Sequence, residues 1–318
     1  MSPEFPFEIA VPGSTANLGA GYDALALALR VYLGRHVERA GSAAPGSVEW
    51  IFDDLPLAGE NYIERGLRAG LGDRGDVPAL RVRVRSGIPM RGGLGSSAAA
   101  LVAGLRLAAC FRPLTDQDLL QAATTLEGHP DNVSASILGG LTVSGVGPDG
   151  RVHSLPVRWP EAWRVVLATP AIELATSAAR AAVPAQVPTA DAVANLQRAA
   201  LLVQAVHARD RDAMREALRD RLHQPYRAPL VPGLARALAF DAPSLIGVFL
   251  SGAGPSIAAL VTDAGDEARA MFSSLYAELG VPAAVRVIEV HQPGAPDRTA
   301  TTAGRRPHRR RRSPSEVS

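Results

Sequence analysis

The 318-residue sequence predicts an α+β fold built as two packed layers. Three observations carry that reading. Stretches with the apolar–polar alternation of strands recur between segments of helical period, turn signals pair several strands as hairpins, and no internal repeat is apparent. A second strand–helix pattern begins at Trp159-Pro160. The expected domains are therefore 1–158 and 159–292, followed by a tail over 293–318.

Residues 5–11 read as a short strand stopped by the Pro12-Gly13 turn. A loop punctuated by Gly19 and Gly21 carries Asn17 and Asp23, and 24–29 reads as a short apolar helix or strand. Strands are expected over 31–39 and 47–52, and a helix over 62–71 with Asn61 at its start as an N-cap. Over 80–84 apolar residues alternate with arginine, as in a strand with one buried face. The loop at 89–97 then opens into an alanine-rich helix of strong propensity.

An N-cap signal at Thr115 starts a second helix over 116–126, with Leu119, Leu120, Ala123 and Leu126 on its apolar side. A short helix over 131–138 breaks at Gly139-Gly140. Strands over 141–146 and 152–157 then flank the Pro148-Asp149-Gly150 turn. Beyond Trp159 the expectation is a strand at 164–169, helices at 177–183, 190–208 and 212–219, strands at 245–250 and 257–261, a helix at 265–279 and a last strand at 283–290.

The composition, 47% hydrophobic and 20% charged, is that of an ordinary globular protein, and with 5% aromatic residues the core must rest on Ala, Val and Leu. The formal charge of +2 is weighted by six arginines within 305–312; without that tail the body is mildly acidic. From 292 onward Pro, Gly, Thr, Ser and Arg without apolar period predict disorder. Such an arginine cluster touches nucleic-acid phosphates non-specifically, and with no interleaved aromatics specific nucleic-acid binding is not expected. Cys110 is the single cysteine, so no intrachain disulfide can form, which suits a reducing cytoplasm. The N-terminus has no signal-peptide pattern and no window approaches 18 uninterrupted apolar residues, so neither secretion nor a membrane span is expected. The sequence is silent on oligomeric state, and a homodimer is compatible with it.

The most informative stretch is PMRGGLGSSAAA at 89–100. Strand, glycine loop and helix mouth together bring bare backbone N–H groups and the positive end of a helix dipole to one spot, which is an anion site. A Walker A loop needs a lysine, and the chain contains none. Gly93-x-Gly95-x-x-Ala98 meets the loose dinucleotide fingerprint, but a helix follows where that unit requires a strand. A glycine loop that merely turns the chain is the plain alternative.

Three further stretches accompany this one in order: PGSTANLGAGYD at 12–23, EGHPDNV at 127–133 and SGAGPS at 251–256. Together the four resemble the motifs of the GHMP small-molecule kinases, and within that superfamily the homoserine kinases, over roughly residues 5–290. The resemblance implies a two-domain fold, ribosomal S5 domain 2-like in the N-terminal half and ferredoxin-like in the C-terminal half. It also implies phosphorylation of the hydroxyl of L-homoserine by ATP with Mg²⁺, a step toward threonine. A GHMP kinase for shikimate or an isoprenoid precursor, or a catalytically silent ligand-binding regulator on the same fold, are the other readings.

The same resemblance assigns roles. Pro89, Met90, Arg91, Gly92, Gly93, Leu94, Gly95, Ser96, Ser97, Ala98 and Ala99 cradle the triphosphate, and Asn61 faces the adenine. Mg²⁺ prefers oxygen ligands and keeps several waters, so Ser97 and Glu127 suffice as its protein ligands. Glu127 ends a helix, where the dipole disfavours a carboxylate by about 0.3–1 kcal/mol, so a task is expected of it. Asp23 takes the substrate ammonium; Arg180, in TSAAR from Thr176, and Arg227, in QPYR, take its carboxylate through the guanidinium fork. Gly252 and His129 complete the substrate wall, His129 being equally readable as a structural hydrogen bond. Asn17 and Asn132 orient the hydroxyl, with Asp131 as a general base the competing assignment.

Overall fold

The computed structural model describes residues 3–41, 44–53, 59–72 and 77–295. The arginine cluster of the expected disordered tail lies outside the described residues. Two sheets organise the rest.

The first sheet grows around one long hairpin, β1 (Phe7–Ala16) and β2 (Leu25–Arg39), paired antiparallel from Phe7 opposite Val37 to Ala16 opposite Ala26. The separate elements expected over 24–29 and 31–39 are one strand. Its N-terminal end pairs with β5 (Leu141–Val146) and its C-terminal half with β4 (Leu80–Ser86), so both ends are held in extended conformation. β3 (Val48–Phe52) lies parallel to β4, and β6 (Val152–Val157) closes a hairpin with β5. On β4 the predicted alternation holds: Leu80, Val82 and Val84 are buried, whereas Arg81, Arg83 and Arg85 face solvent and pair with Glu49 on β3 and Asp53 just after it.

Helices α1 (Tyr62–Leu71), α2 (Ser96–Ala109), α3 (Asp116–Glu127) and α4 (Asp131–Leu138) cover the sheet. The sequence placed α1, α3 and α4 to within a few residues and the start of α2 at the glycine loop, because these ends carry their own signals. Thr115 forms a full capping box with Asp118, and Gly128 and Gly139 end α3 and α4. Ala16, Ala26, Ala28 and Ala135 form a small cluster of their own, and their lack of bulk lets α4 settle onto the β1–β2 hairpin.

The second sheet contains β7 (Arg164–Pro170), β8 (Leu245–Leu250), β9 (Ile257–Val261) and β10 (Ala283–Ile288), in the order β10-β7-β9-β8 and antiparallel throughout. In chain order that is 4-1-3-2, the strand order of a ferredoxin-like unit. Between β7 and β8 run α5 (Thr176–Ala181), α6 (Thr189–Ala208), α7 (Arg211–Ala217), α8 (Gln224–Arg227) and α9 (Leu234–Ala237); α10 (Asp266–Glu278) joins β9 to β10. The four-residue α8 and α9 were not foreseen, since one turn is too short to show a period.

Trp159, at the expected boundary, is a buried corner. It is 1% exposed, its indole N–H donates to the Trp163 carbonyl at 3.0 Å, and it joins a core cluster that also contains Leu27, Val165, Leu202 and Phe249. The chain returns to the first sheet after β10: Val290 bridges to Leu29 and the His291 amide donates to the Ala28 carbonyl. A second cluster, with Phe272, Leu245 and Val166, fills the space between the second sheet and α10. Among the described residues no helix is long and apolar enough to cross a membrane.

Candidate active site

The glycine loop lies where the two sheets meet. Gly95 caps α2 with φ +64°, and Gly93 has φ +74°, conformations that glycine adopts without penalty. Contact demands glycine as strongly. A Cβ on Gly93 would stand 2.4 Å from the Ser251 carbonyl oxygen, and one on Gly95 would stand 2.5 Å from Ser14 Oγ and 2.8 Å from Asn132 Oδ1. Hydrogen bonds bind the same partners together. The Ser251 hydroxyl lies 2.7 Å from the Gly93 carbonyl and 2.8 Å from Thr15 Oγ1, the Ser14 amide donates to the Leu94 carbonyl, and the Gly252 amide donates to the Ala16 carbonyl. Four motifs spread from Pro12 to Ser256 thus pack together.

At the mouth of α2 the Ser97 hydroxyl donates to Glu127 Oε1 at 2.6 Å. The helix α3 that ends at Glu127 delivers this carboxylate to the site. Next to it, His129 Nδ1 lies 2.5 Å from Asp131 Oδ1. The same Oδ1 accepts from the Asn132 amide at 2.7 Å, and Asp131 is 2% exposed. Burial works against the His129 imidazolium, but the hydrogen bond and charge of Asp131 outweigh it, and the net effect raises its pKa. The Ser14 hydroxyl holds Asn132 Oδ1 at 2.8 Å, which turns the Asn132 amide N–H₂ the other way.

Close to His129 and Asp131, Arg180 grips Asp23 with both terminal nitrogens. The Asn17 side chain is a strut: its Oδ1 accepts from the Asp23 amide and its Nδ2 donates to the Gly252 carbonyl, each at 3.0 Å. Arg227 is almost fully buried. It donates to the carbonyls of Ala179 and Gly252 and to Tyr22 Oη, and burial lowers its pKa. Asn17, Leu18, Asp23 and Arg91 all have positive φ, a strain of about 1–3 kcal/mol each that clusters at this site.

A cavity of about 70 Å³ is lined by Asn17, Asp23, Arg91, Gly93, Leu94, Gly95, Ser96, Ser97, Glu127, His129, Asn132, Thr176, Arg180, Arg227 and Gly252. All of these were expected from the sequence. Asp131, Leu174, Ala253 and Gly254 line it too. Asn61, Met90, Gly92, Ala98 and Ala99 do not. Asn61 Oδ1 caps α1 by accepting from the Ile63 and Glu64 amides, Ala98 and Ala99 are buried inside α2, and Pro89 turns to an apolar cavity between the sheets. A larger space of about 500 Å³ lies along β8. Both of its arginines are occupied, Arg215 by the carbonyls of Leu245 and Ile246 and Arg219 by Glu216, so volume alone does not mark the chemical site.

Among the described residues two places could hold a metal ion. Asp23, His129 and Asp131 bring their ligand atoms within 4.8 Å of one another, but Arg180 occupies Asp23, and His129 and Asp131 are bonded to each other. Ser97 and Glu127 offer a hydroxyl and a carboxylate side by side at a helix mouth, the all-oxygen set that Mg²⁺ takes.

Comparisons with known proteins give the family. Residues 61–140 match the GHMP kinases N terminal domain and 202–278 match GHMP kinases C terminal. A homoserine kinase of Thermus thermophilus is 43% identical over 264 residues, covering 81% of this chain and 87% of that one. The chain belongs to the homoserine kinase family. The homoserine kinase of Moorella thermoacetica is 38% identical over 90% of this chain and 98% of its own. In structure, homoserine kinase from Cytophaga hutchinsonii superposes with a TM-score of 0.82 at 24% identity over 92% of this chain and 98% of that one. A mevalonate kinase gives 0.65 at 14%, over 90% and 99%, which is a likeness of fold. The protein is accordingly a GHMP-fold phosphotransferase with the two-domain α+β architecture that its motifs announced.

Sequence reasoning missed several groups in this homoserine kinase site. Ser14 lies within the first motif, but its bond to Asn132 follows only from the meeting of two distant loops. Glu173, which pairs with Arg91 across the mouth, has no signal of its own.

Proposed function

We propose that the protein transfers the γ-phosphoryl group of ATP to the side-chain hydroxyl of L-homoserine, giving ADP and O-phospho-L-homoserine. One observation carries the reading: an anion-binding glycine loop shares a single cavity with a carboxylate and a guanidinium placed as a matched pair. A polyphosphate suits the first and an amino-acid zwitterion the second.

In this reading residues 1–158 hold the nucleotide and 159–292 close over the amino acid. Backbone amides from Gly93 to Ser97 receive the β- and γ-phosphates, and Arg91 lies beside them at the rim. Asn61, whose carbonyl oxygen caps α1, keeps its amide N–H₂ for the adenine. Ser97 and Glu127 would hold Mg²⁺, and the ion would supply charge neutralisation for the phosphates. Asp23 binds the substrate ammonium and Arg180 its carboxylate, with Thr176, His129, Arg227 and Gly252 shaping the wall. Asn132, turned by Ser14, orients the hydroxyl in line, while Asn17 keeps Asp23 and Gly252 in register.

Loose phosphoryl transfer develops little need for early proton removal, so positioning and charge stabilisation carry the reaction. Asp131 already accepts from His129 and from the Asn132 amide, so it acts as a holder of these groups and not as the base. A coupled ADP-release assay with homoserine, shikimate and mevalonate tests the assignment. Homoserine-dependent ADP formation is expected. ADP formed only with another alcohol moves the protein to that substrate, and nucleotide binding without turnover makes it a silent binder.

A further inference from the structure

A fully buried histidine outside the reacting groups joins the two sides of the substrate wall. We propose that His223, held as the neutral Nε2–H tautomer, is a positioning residue that fixes the 17–23 loop and Arg227 relative to each other. What it positions rests on the homoserine reading above; the tautomer rests on geometry alone.

His223 is 0% exposed. Its Nε2 lies 2.9 Å from the Gly19 carbonyl oxygen and 3.6 Å from Asp220 Oδ2. Both of these only accept, so Nε2 carries the proton. Its Nδ1 lies 3.2 Å from Arg227 Nη1. A guanidinium has donors and no acceptor, so Nδ1 must offer its lone pair. A second proton, on Nδ1, would be driven directly against the Arg227 cation. Burial pushes the His223 pKa down, in the same sense as the geometry.

The charged and titratable groups around the ring are Asp220, Arg227 and Asp23, together with the stacked Tyr22. Asp220 is itself buried and accepts from Asn195 Nδ2 and from the amides of Leu222, His223 and Gln224. A neutral histidine therefore sits between a buried anion and a buried cation. The ring stacks on Tyr22 with centroids 5.1 Å apart and planes 18° from parallel, and the Arg227 guanidinium lies 5.1 Å from the same Tyr22 ring.

Two chains of contact leave this ring. One runs through Gly19 into the loop that carries Asn17 and Asp23. That loop presses so closely that a Cβ on Gly19 would stand 1.9 Å from the Leu218 carbonyl oxygen. The other runs through Arg227 to the carbonyls of Ala179, next to Arg180, and of Gly252. Among the described residues none of the hydrogen bonds of His223 reaches the glycine loop. Its influence should fall on the amino acid and not on the nucleotide.

The test uses the full chain. In ¹⁵N-histidine NMR, with His223 assigned by its loss in His223→Phe, a protonated Nε2 and a bare Nδ1 are expected, unchanged from pH about 6 to about 8. An Nδ1–H tautomer, or titration near the ordinary histidine value, overturns the proposal. His223→Phe keeps an aromatic ring, slightly larger than imidazole, against Tyr22 but removes both nitrogen contacts. It should raise the KM for homoserine about tenfold, the scale of one lost buried hydrogen bond, and leave the KM for ATP within about twofold. His223→Asn, whose Oδ1 can still accept from Arg227, should recover part of the loss. Unchanged homoserine KM with a lowered melting temperature, or an equal rise in both KM values, reduces His223 to packing and overturns the positioning role. If the wild type fails to turn over homoserine, the functional reading falls while the NMR result still decides the tautomer.

Discussion

The terminal nitrogens Nη1 and Nη2 of Arg180 stand 2.9 Å from Oδ2 and Oδ1 of Asp23, fork against fork. The hydrogen bonding to the Asp23 carboxylate is the main reason the Arg180 pKa is raised. These are the two groups assigned to the opposite charges of the substrate, so each serves the other as a surrogate ligand. An amino acid that inserts between them replaces one ion pair by two. An acid without an ammonium would leave Asp23 without a counter-charge.

Asp23→Asn should therefore raise the KM for homoserine by about 10- to 100-fold, the equivalent of roughly 1.5–3 kcal/mol for a charged hydrogen bond. The KM for ATP should stay within about twofold. Steady-state kinetics with each substrate varied in turn decides this, and an equal effect on both would remove Asp23 from the amino-acid subsite.

Glu127→Gln retains the hydrogen bond from Ser97 but removes the charge that an Mg²⁺ ion requires. The expected result is a loss of about 10²-fold or more in kcat, on the scale of one missing electrostatic stabiliser, with a shift of the Mg²⁺ activation curve to higher concentration. Magnesium titration of turnover is the measurement. An unchanged curve places the ion elsewhere.

If Asp131 were the catalytic base, Asp131→Asn would cost about 10²–10⁴-fold in kcat. Because its carboxylate is occupied by His129 and the Asn132 amide, the loss should stay under about tenfold. Single-turnover rates separate the two outcomes without interference from product release.

The pKa of His129 is raised in the folded protein, with Asp131 overcoming the effect of burial. Its protonated form therefore stabilises the fold. That contribution is complete below the unfolded value of about 6.5 and disappears as the pH climbs through the folded value. The stability gap between wild type and His129→Gln should be widest in mild acid and close toward alkaline pH. Urea unfolding at a series of pH values checks the sign, and a gap that widens with pH contradicts it.

Gly95→Ala meets Ser14 and Asn132 as well as a backbone at φ +64°, whereas Gly150→Ala, at φ +77°, meets nothing within 4 Å. Gly150→Ala should lose only the left-handed strain, about 1–2 kcal/mol. Gly95→Ala should lose more and also weaken ATP binding, because the loop must move to make room. Thermal melting and nucleotide titration of both variants test the comparison.

Much of the site was legible because its residues lie in short local motifs. A glycine loop running into an alanine-rich helix announces an anion site whatever surrounds it, and the capping box at Thr115 fixes the start of the helix that delivers Glu127. Asn61 shows the limit of such reading. Its position at a helix start agrees with an N-cap and with an adenine contact, and the structure shows the capping bonds to Ile63 and Glu64. The continuity of β2 was hidden for a related reason: strand pairing with β4 and β5 decides it, and those partners are far away in sequence.

By itself the sequence determined most element types, the two-domain α+β class and the identity of most groups round the cavity, since propensity, capping and turn chemistry act over a few residues. Only the tertiary structure decided which of those groups touch. It set Ser14 on Asn132, Asp23 on Arg180, and His223 between Gly19 and Arg227, pairs separated by 118, 157, 204 and 4 residues. Hydrogen bonds need atoms brought within about 3 Å at the right angle, and chain folding rather than local composition supplies that placement.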